Sequence, residues 1–104
     1  MAVATLAGRP IQVNDEGFLT DPSEWDETLG SALAAAIGIT MTDEHWKAIR
    51  FLRDDFAEQG ETATLRRVST RGEIPVKRLF ELFPQKPAKK MAYVAGLPKP
   101  RGCV

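Results

Sequence analysis

Cys103 is the only cysteine in a chain of 104 residues, and it stands in the stretch GLPKPRGCV, residues 96 to 104. A lone thiol can act as a nucleophile, or it can pack as a small hydrophobe, and its surroundings choose between these. Pro98 and Pro100 each fix φ and lack an N–H, and Gly96 and Gly102 bracket them, so neither helix nor strand is expected. Leu97 and Lys99, each preceding a proline, are pushed toward extended geometry. The segment reads as a semi-stiff arm with a flexible base and a flexible joint just before Cys103. Lys99 and Arg101 flank the thiol and favour the thiolate; the carboxylate of Val104 works the other way. With an unperturbed pKa of about 8.5, a minority of such thiols is ionised near neutrality. No base accompanies the cysteine in sequence, which suits a carrier that reacts inside a partner's site.

The other reactive side chains point to no conventional active site. His45 lies beside Trp46, but no further His, Cys or carboxylate falls at metal-ligand spacing, so a structural or surface histidine is expected and no metal. Asp54 and Asp55 are adjacent on a helix and point apart, which argues against a catalytic dyad. The chain has no glycine-rich phosphate loop, nucleophile elbow or Ser/His/Asp set, and no cofactor is expected.

Charge is distributed unevenly. Residues 1 to 60 hold 11 Asp/Glu and 4 Lys/Arg, a balance of −7, and residues 61 to 104 hold 3 and 10, a balance of +7. Either the C-terminal half shows a basic surface to an anionic partner, or the halves pack together and neutralise each other. Residues 62 to 83 have a helix, glycine turn, helix layout carrying Arg66, Arg67, Arg71, Lys77 and Arg78. That layout is compatible with a helix-turn-helix reader of DNA, although its second helix spends most residues on an apolar face.

The elements that must carry the arm are mostly helical. Residues 3 to 19 hold two β-prone runs around Gly8-Arg9-Pro10 and a polar Asn14 to Gly17 turn, a hairpin too small to stand alone. Asp21-Pro22-Ser23 offers a helix start, with Trp25, Leu29, Leu33 and Ala36 at helical spacing up to Gly38. Thr42 caps the strongest helix, whose Trp46, Ile49, Leu52 and Phe56 form one stripe ending at Gly60. Thr62 to Arg71 reads as a short helix broken at Gly72. Pro75 to Phe83 reads as another, with Val76, Leu79, Phe80 and Phe83 inward, and Ala88 to Ala95 as the last. The expected fold class is mainly α: a small orthogonal helical bundle with an N-terminal β-hairpin and an extended C-terminal arm. It is expected as one domain, 1–104, with hairpin 3–19, bundle 22–95 and mobile arm 96–104. One cysteine, no secretory leader and no apolar run long enough for a bilayer point to a cytoplasmic protein with no membrane partner.

These residues resemble a known family. AGLPKPRGCV is similar to the C-terminal arm of the DsrC/TusE sulfur-carrier proteins, which include the gamma subunit of dissimilatory sulfite reductase. IQVNDEGFL, LTDPSEW, ITMTDEHWKAIRFLRDDF and LFPQKPAKKMAYVAGLPKPRGCV extend the likeness over nearly the whole chain. The resemblance implies packed helices, a hairpin, and an arm whose penultimate cysteine, here Cys103, carries sulfur as a persulfide. Its partners would be an upstream persulfide donor and a downstream thiol acceptor. Family members acting in sulfite reduction or sulfur oxidation carry a second arm cysteine eleven positions earlier; this chain has Ala92 there, as in a TusE-like, single-cysteine form. The connection STRGEIPVKR, between Ser69 and Leu79, is also shorter than usual. The expected activity is sulfurtransferase-type carriage with no self-contained active site. The alternatives are a regulatory or nucleic-acid-binding module using residues 62 to 83, and an accessory subunit of a sulfite-reductase-like complex.

Overall fold

Turn chemistry sets the first element. Strands β1 (Ala2–Leu6) and β2 (Arg9–Val13) pair antiparallel, with Ala2 opposite Val13 and Leu6 opposite Arg9. Ala7 and Gly8, at φ 53° and 74°, form the two-residue turn that joins them, a left-handed pair matching the strand twist. The computed structural model describes residues 2–100. Ile11 and Val13 turn one face of this ribbon onto Leu29 and Leu33, which is how so thin a sheet stays folded.

Five helices follow: α1 (Glu27–Ala36), α2 (Asp43–Gln59), α3 (Leu65–Gly72), α4 (Val76–Leu82) and α5 (Pro87–Val94). The architecture is the mainly α bundle with an N-terminal hairpin that the sequence predicts. Asp21 does accept from the Ser23 N–H, but the start it makes is a single 3-10 turn, Pro22–Glu24. Trp25 is extended, and Asp26 then caps α1 by accepting from the Leu29 N–H at 2.9 Å. The interruption frees Trp25 from the helix to reach α5.

Helix α2 is the spine. Ile49 and Leu52 are buried with Leu79, Leu82, Phe83, Met91 and Val94, and Trp25, Trp46 and Phe56 pack against that cluster. His45 is a buried capping residue. Its Nδ1 accepts from the Thr42 N–H (3.1 Å) and lies 2.7 Å from the Thr42 hydroxyl, and its Nε2 donates to the Leu82 carbonyl at 2.8 Å. Both ring nitrogens are occupied by the neutral tautomer this pattern requires, and the ring stands edge-on to Phe83.

Two helical expectations are corrected. Gly72 does not make the turn after α3; it belongs to the helix and is buried where a Cβ would come 3.3 Å from the Phe51 ring. The left-handed residue is Glu73, at φ 59°. Helix α4 is rotated from the expected stripe: Leu79, Leu82 and Phe83 are buried, whereas Val76 and Phe80 are 42% and 46% exposed. In a helix this short, two overlapping i, i+3, i+4 stripes exist, and Leu82 takes the core in place of Phe80.

Candidate functional site: the anchored base of the arm

Helix α5 ends in a cap that aims the chain leaving it. Gly96 has φ 68°, its N–H donates to the Tyr93 carbonyl at 3.2 Å, and the Leu97 N–H reaches back to the Ala92 carbonyl at 3.0 Å. This pair of bonds with a left-handed glycine is a Schellman cap. The position demands glycine twice over. A side chain disfavours that φ, and a Cβ there would lie 2.5 Å from Trp25 Cδ1.

Four side chains then grip the emerging segment. Trp25 Nε1 donates to the Val94 carbonyl at 2.8 Å. The Arg53 guanidinium donates to the Ala95 carbonyl (Nη1, 2.7 Å) and the Pro22 carbonyl (Nη2, 3.0 Å), and stacks 4.3 Å above the Trp25 ring. Burial pushes the Arg53 guanidinium below its ordinary pKa by desolvation, while the carbonyls and the Trp25 ring face work the other way and hold the charge in place. Beyond Leu97, which is 1% exposed, the Thr62 hydroxyl donates to the Pro98 carbonyl at 2.7 Å, and Lys99 Nζ donates to Glu16 Oε2 at 3.3 Å. Pro100 is buried.

The predicted arm therefore begins as a docked strap. Gly96, Leu97, Pro98, Lys99 and Pro100 have no helix or strand after the cap, as their composition requires, but are held against the body. Arg101, Gly102 and Cys103 lie outside the described residues, and so does the flexible joint expected just before the thiol. Ala92, the position matched to a second cysteine, is fully buried inside α5 one turn before the cap. Trp25, Arg53, Thr62 and Glu16 were not legible as arm contacts. Trp25 stood out only as an apolar helical position, and the others read as ordinary polar residues.

The basic candidates divide. Arg67 forms a forked pair with Asp55, Nε to Oδ2 at 2.9 Å and Nη2 to Oδ1 at 2.7 Å, on a carboxylate whose side chain is only 4% exposed. Arg78 pairs with Glu44 and Glu81. Arg66, Arg71 and Lys77 are exposed. Asp54 faces solvent while Asp55 is buried, so the adjacent carboxylates do part. Among the described residues, no group of three or more His, Cys, Asp or Glu could hold a metal, and no helix is long and apolar enough to cross a membrane.

Residues 5–104 match the family model described as DsrC like protein. The chain belongs to the DsrC family. It is 36% identical to sulfurtransferase TusE of Escherichia coli strain K12, covering 93% of this chain and 95% of that protein. Among solved structures, it is similar to the oxidized gamma subunit of dissimilatory sulfite reductase, DsrC, from Archaeoglobus fulgidus. That match has 38% identity and a TM-score of 0.80 over 99% of this chain and all of the other. A chain in the crystal structure of dissimilatory sulfite reductase I matches at a TM-score of 0.85 and 34% identity, covering 99% and 100% of the two chains. The resemblance seen in the arm motif is thus carried by the whole DsrC-family fold.

Proposed function

We propose that this DsrC-family chain is a sulfur carrier of a relay, loading sulfane sulfur on Cys103 and handing it to a partner protein's thiol. The observation that carries this reading is the strap: a glycine-aimed anchor over residues 96 to 100, with the chain's only cysteine three positions further along the sequence. The Cys103 thiolate attacks the outer sulfur of a donor's cysteine persulfide. A bond forms between Cys103 Sγ and that sulfur, the donor's S–S bond breaks, and the electron pair leaves on the donor as thiolate. No net oxidation occurs, and the same exchange with an acceptor thiolate returns Cys103 to its starting state.

Docking of residues 97 to 100 sets the reach of the thiol. From Pro100, three residues span at most about 11 Å, whereas release of the strap back to Gly96 gives seven residues and about 25 Å. Pro98 and Pro100 stiffen the segment and lower the ordering cost of inserting it into a partner. With one cysteine in the chain, no internal disulfide can close, which favours single-sulfur transfer over chemistry needing two arm thiols. The test is intact mass after incubation with a protein bearing a cysteine persulfide. The expected result is a gain of one sulfur atom in wild type, none in Cys103→Ser, and loss of that sulfur to an added acceptor thiol. No gain in wild type, or an equal gain in the variant, overturns the reading.

A further inference from the structure

One hollow lies outside the roles assigned so far. It is a cleft of about 400 Å³ between α5 and the loop that follows β2. Phe18, Ile37 and Tyr93 supply its apolar lining, and Lys86, Lys89 and Lys90 its cationic side. The sequence builds this shape locally. The Asn14 side chain accepts from the N–H groups of Glu16 (2.9 Å) and Phe18 (3.0 Å), folding the loop so that both residues line the cleft. Tyr93 meets Phe18 edge to face at 5.9 Å and fixes the other wall. Three lysines beside a half-apolar hollow give it a positive field over a surface that can take one large side chain.

Glu16 is the single acidic residue lining the cleft, and it also touches the strap. Its Oε2 lies 3.7 Å from Lys89 Nζ and 3.3 Å from Lys99 Nζ. The cleft and the base of the arm therefore share one carboxylate.

We propose that this cleft docks an acidic segment of a partner protein, an aromatic or aliphatic side chain entering over Phe18, Ile37 and Tyr93 while flanking carboxylates pair with Lys86, Lys89 and Lys90. The inference rests on the carrier reading for the identity of the partner, but its physics does not involve Cys103. Incoming carboxylates repel Glu16, which weakens its pair with Lys99 at the base of the arm when a partner is present.

The probe is an acetylated, amidated Asp-Asp-Phe-Asp-Asp peptide, titrated into isotope-labelled Cys103→Ser protein and followed by amide chemical shifts. The expected result is saturable shifts in residues 16–18, 37 and 85–93, with Lys99 moving in step, and no such shifts with a Lys-Lys-Phe-Lys-Lys peptide. Lys86→Glu with Lys90→Glu should weaken binding about tenfold or more, and Glu16→Gln should tighten it. Both variants change surface residues, and retained amide dispersion shows that they fold. Shifts confined to Arg66, Arg71 and Lys77, equal binding by the double variant, or saturation of the cleft by an oligonucleotide and not by the acidic peptide would each overturn the proposal. Because the protein used lacks the thiol, these failures are separate from failure of wild type to take up sulfur.

Discussion

At the residue scale, the arm depends on one atom that is missing. Gly96 sits against Trp25 with no room for a Cβ, and its φ of 68° aims the chain away from α5. Gly96→Ala should cost about 1–3 kcal/mol for the backbone alone, with the clash added to it. The expected readout is a lowered urea midpoint together with faster proteolysis beyond Val94; an unchanged midpoint would show that Trp25 moves aside freely. Arg53→Ala tests the same anchor from the other side. It removes two charge-assisted bonds and the stacking on Trp25, about 1.5–3 kcal/mol, and should raise the rate at which Cys103 reacts with a bulky thiol reagent. The glycine was legible in sequence as a flexible base, yet its real role is conformational and steric. Nothing in a string of letters places Trp25 beside it, because the contact spans 69 residues between Trp25 and Val94.

At the element scale, periodicity found α2 and left α4 ambiguous. A helix of 17 residues repeats its apolar stripe often enough to fix a face, while 7 residues allow two readings. The contrast is measurable. Leu52→Ala, at 1% exposure, should cost about 2–5 kcal/mol, and Phe80→Ala, at 46%, should stay within about 0.5 kcal/mol. Comparable losses in both variants would mean that α4 turns Phe80 inward after all. The joint between α2 and α3 adds an ion pair to its apolar contacts. The sequence makes Arg67 a candidate for partner or nucleic-acid contact, but its forked bonds to buried Asp55 make it a strut. Asp55 raises the Arg67 pKa through the side-chain hydrogen bonds first and charge second. Truncating Arg67 leaves the Asp55 carboxylate without its partner and should lower the urea midpoint. The basic residues 66 to 78 therefore include structural members that their sequence neighbours do not distinguish.

At the scale of the whole molecule, the acidic first half and basic second half are stitched to each other. Arg67 to Asp55, Arg78 to Glu44, and Lys89 and Lys99 to Glu16 all cross that divide. Composition showed the asymmetry but could not tell internal neutralisation from a surface meant for a partner; the ion pairs show that part of it is internal. Acid should undo this. Arg9 hydrogen-bonds to Asp26, which also caps α1, and holds its carboxyl below the ordinary 3.8; Arg78 does the same to Glu44, below 4.5. A depressed folded-state pKa means that the unfolded chain takes up protons first as pH falls. The stability these carboxylates supply is thus complete above their ordinary values and is lost as pH drops through the lower folded ones. Urea midpoints should be level from about pH 7 to about pH 5 and fall from about pH 4.5 downward. Asp26→Asn should lower the neutral-pH midpoint and flatten the acid slope, since it removes the charge that Arg9 pairs with while leaving an oxygen to cap α1. A midpoint that holds steady down to about pH 3 in wild type, or a slope unaltered in Asp26→Asn, would mean that these exposed pairs contribute nothing to joining the hairpin and helices into one body.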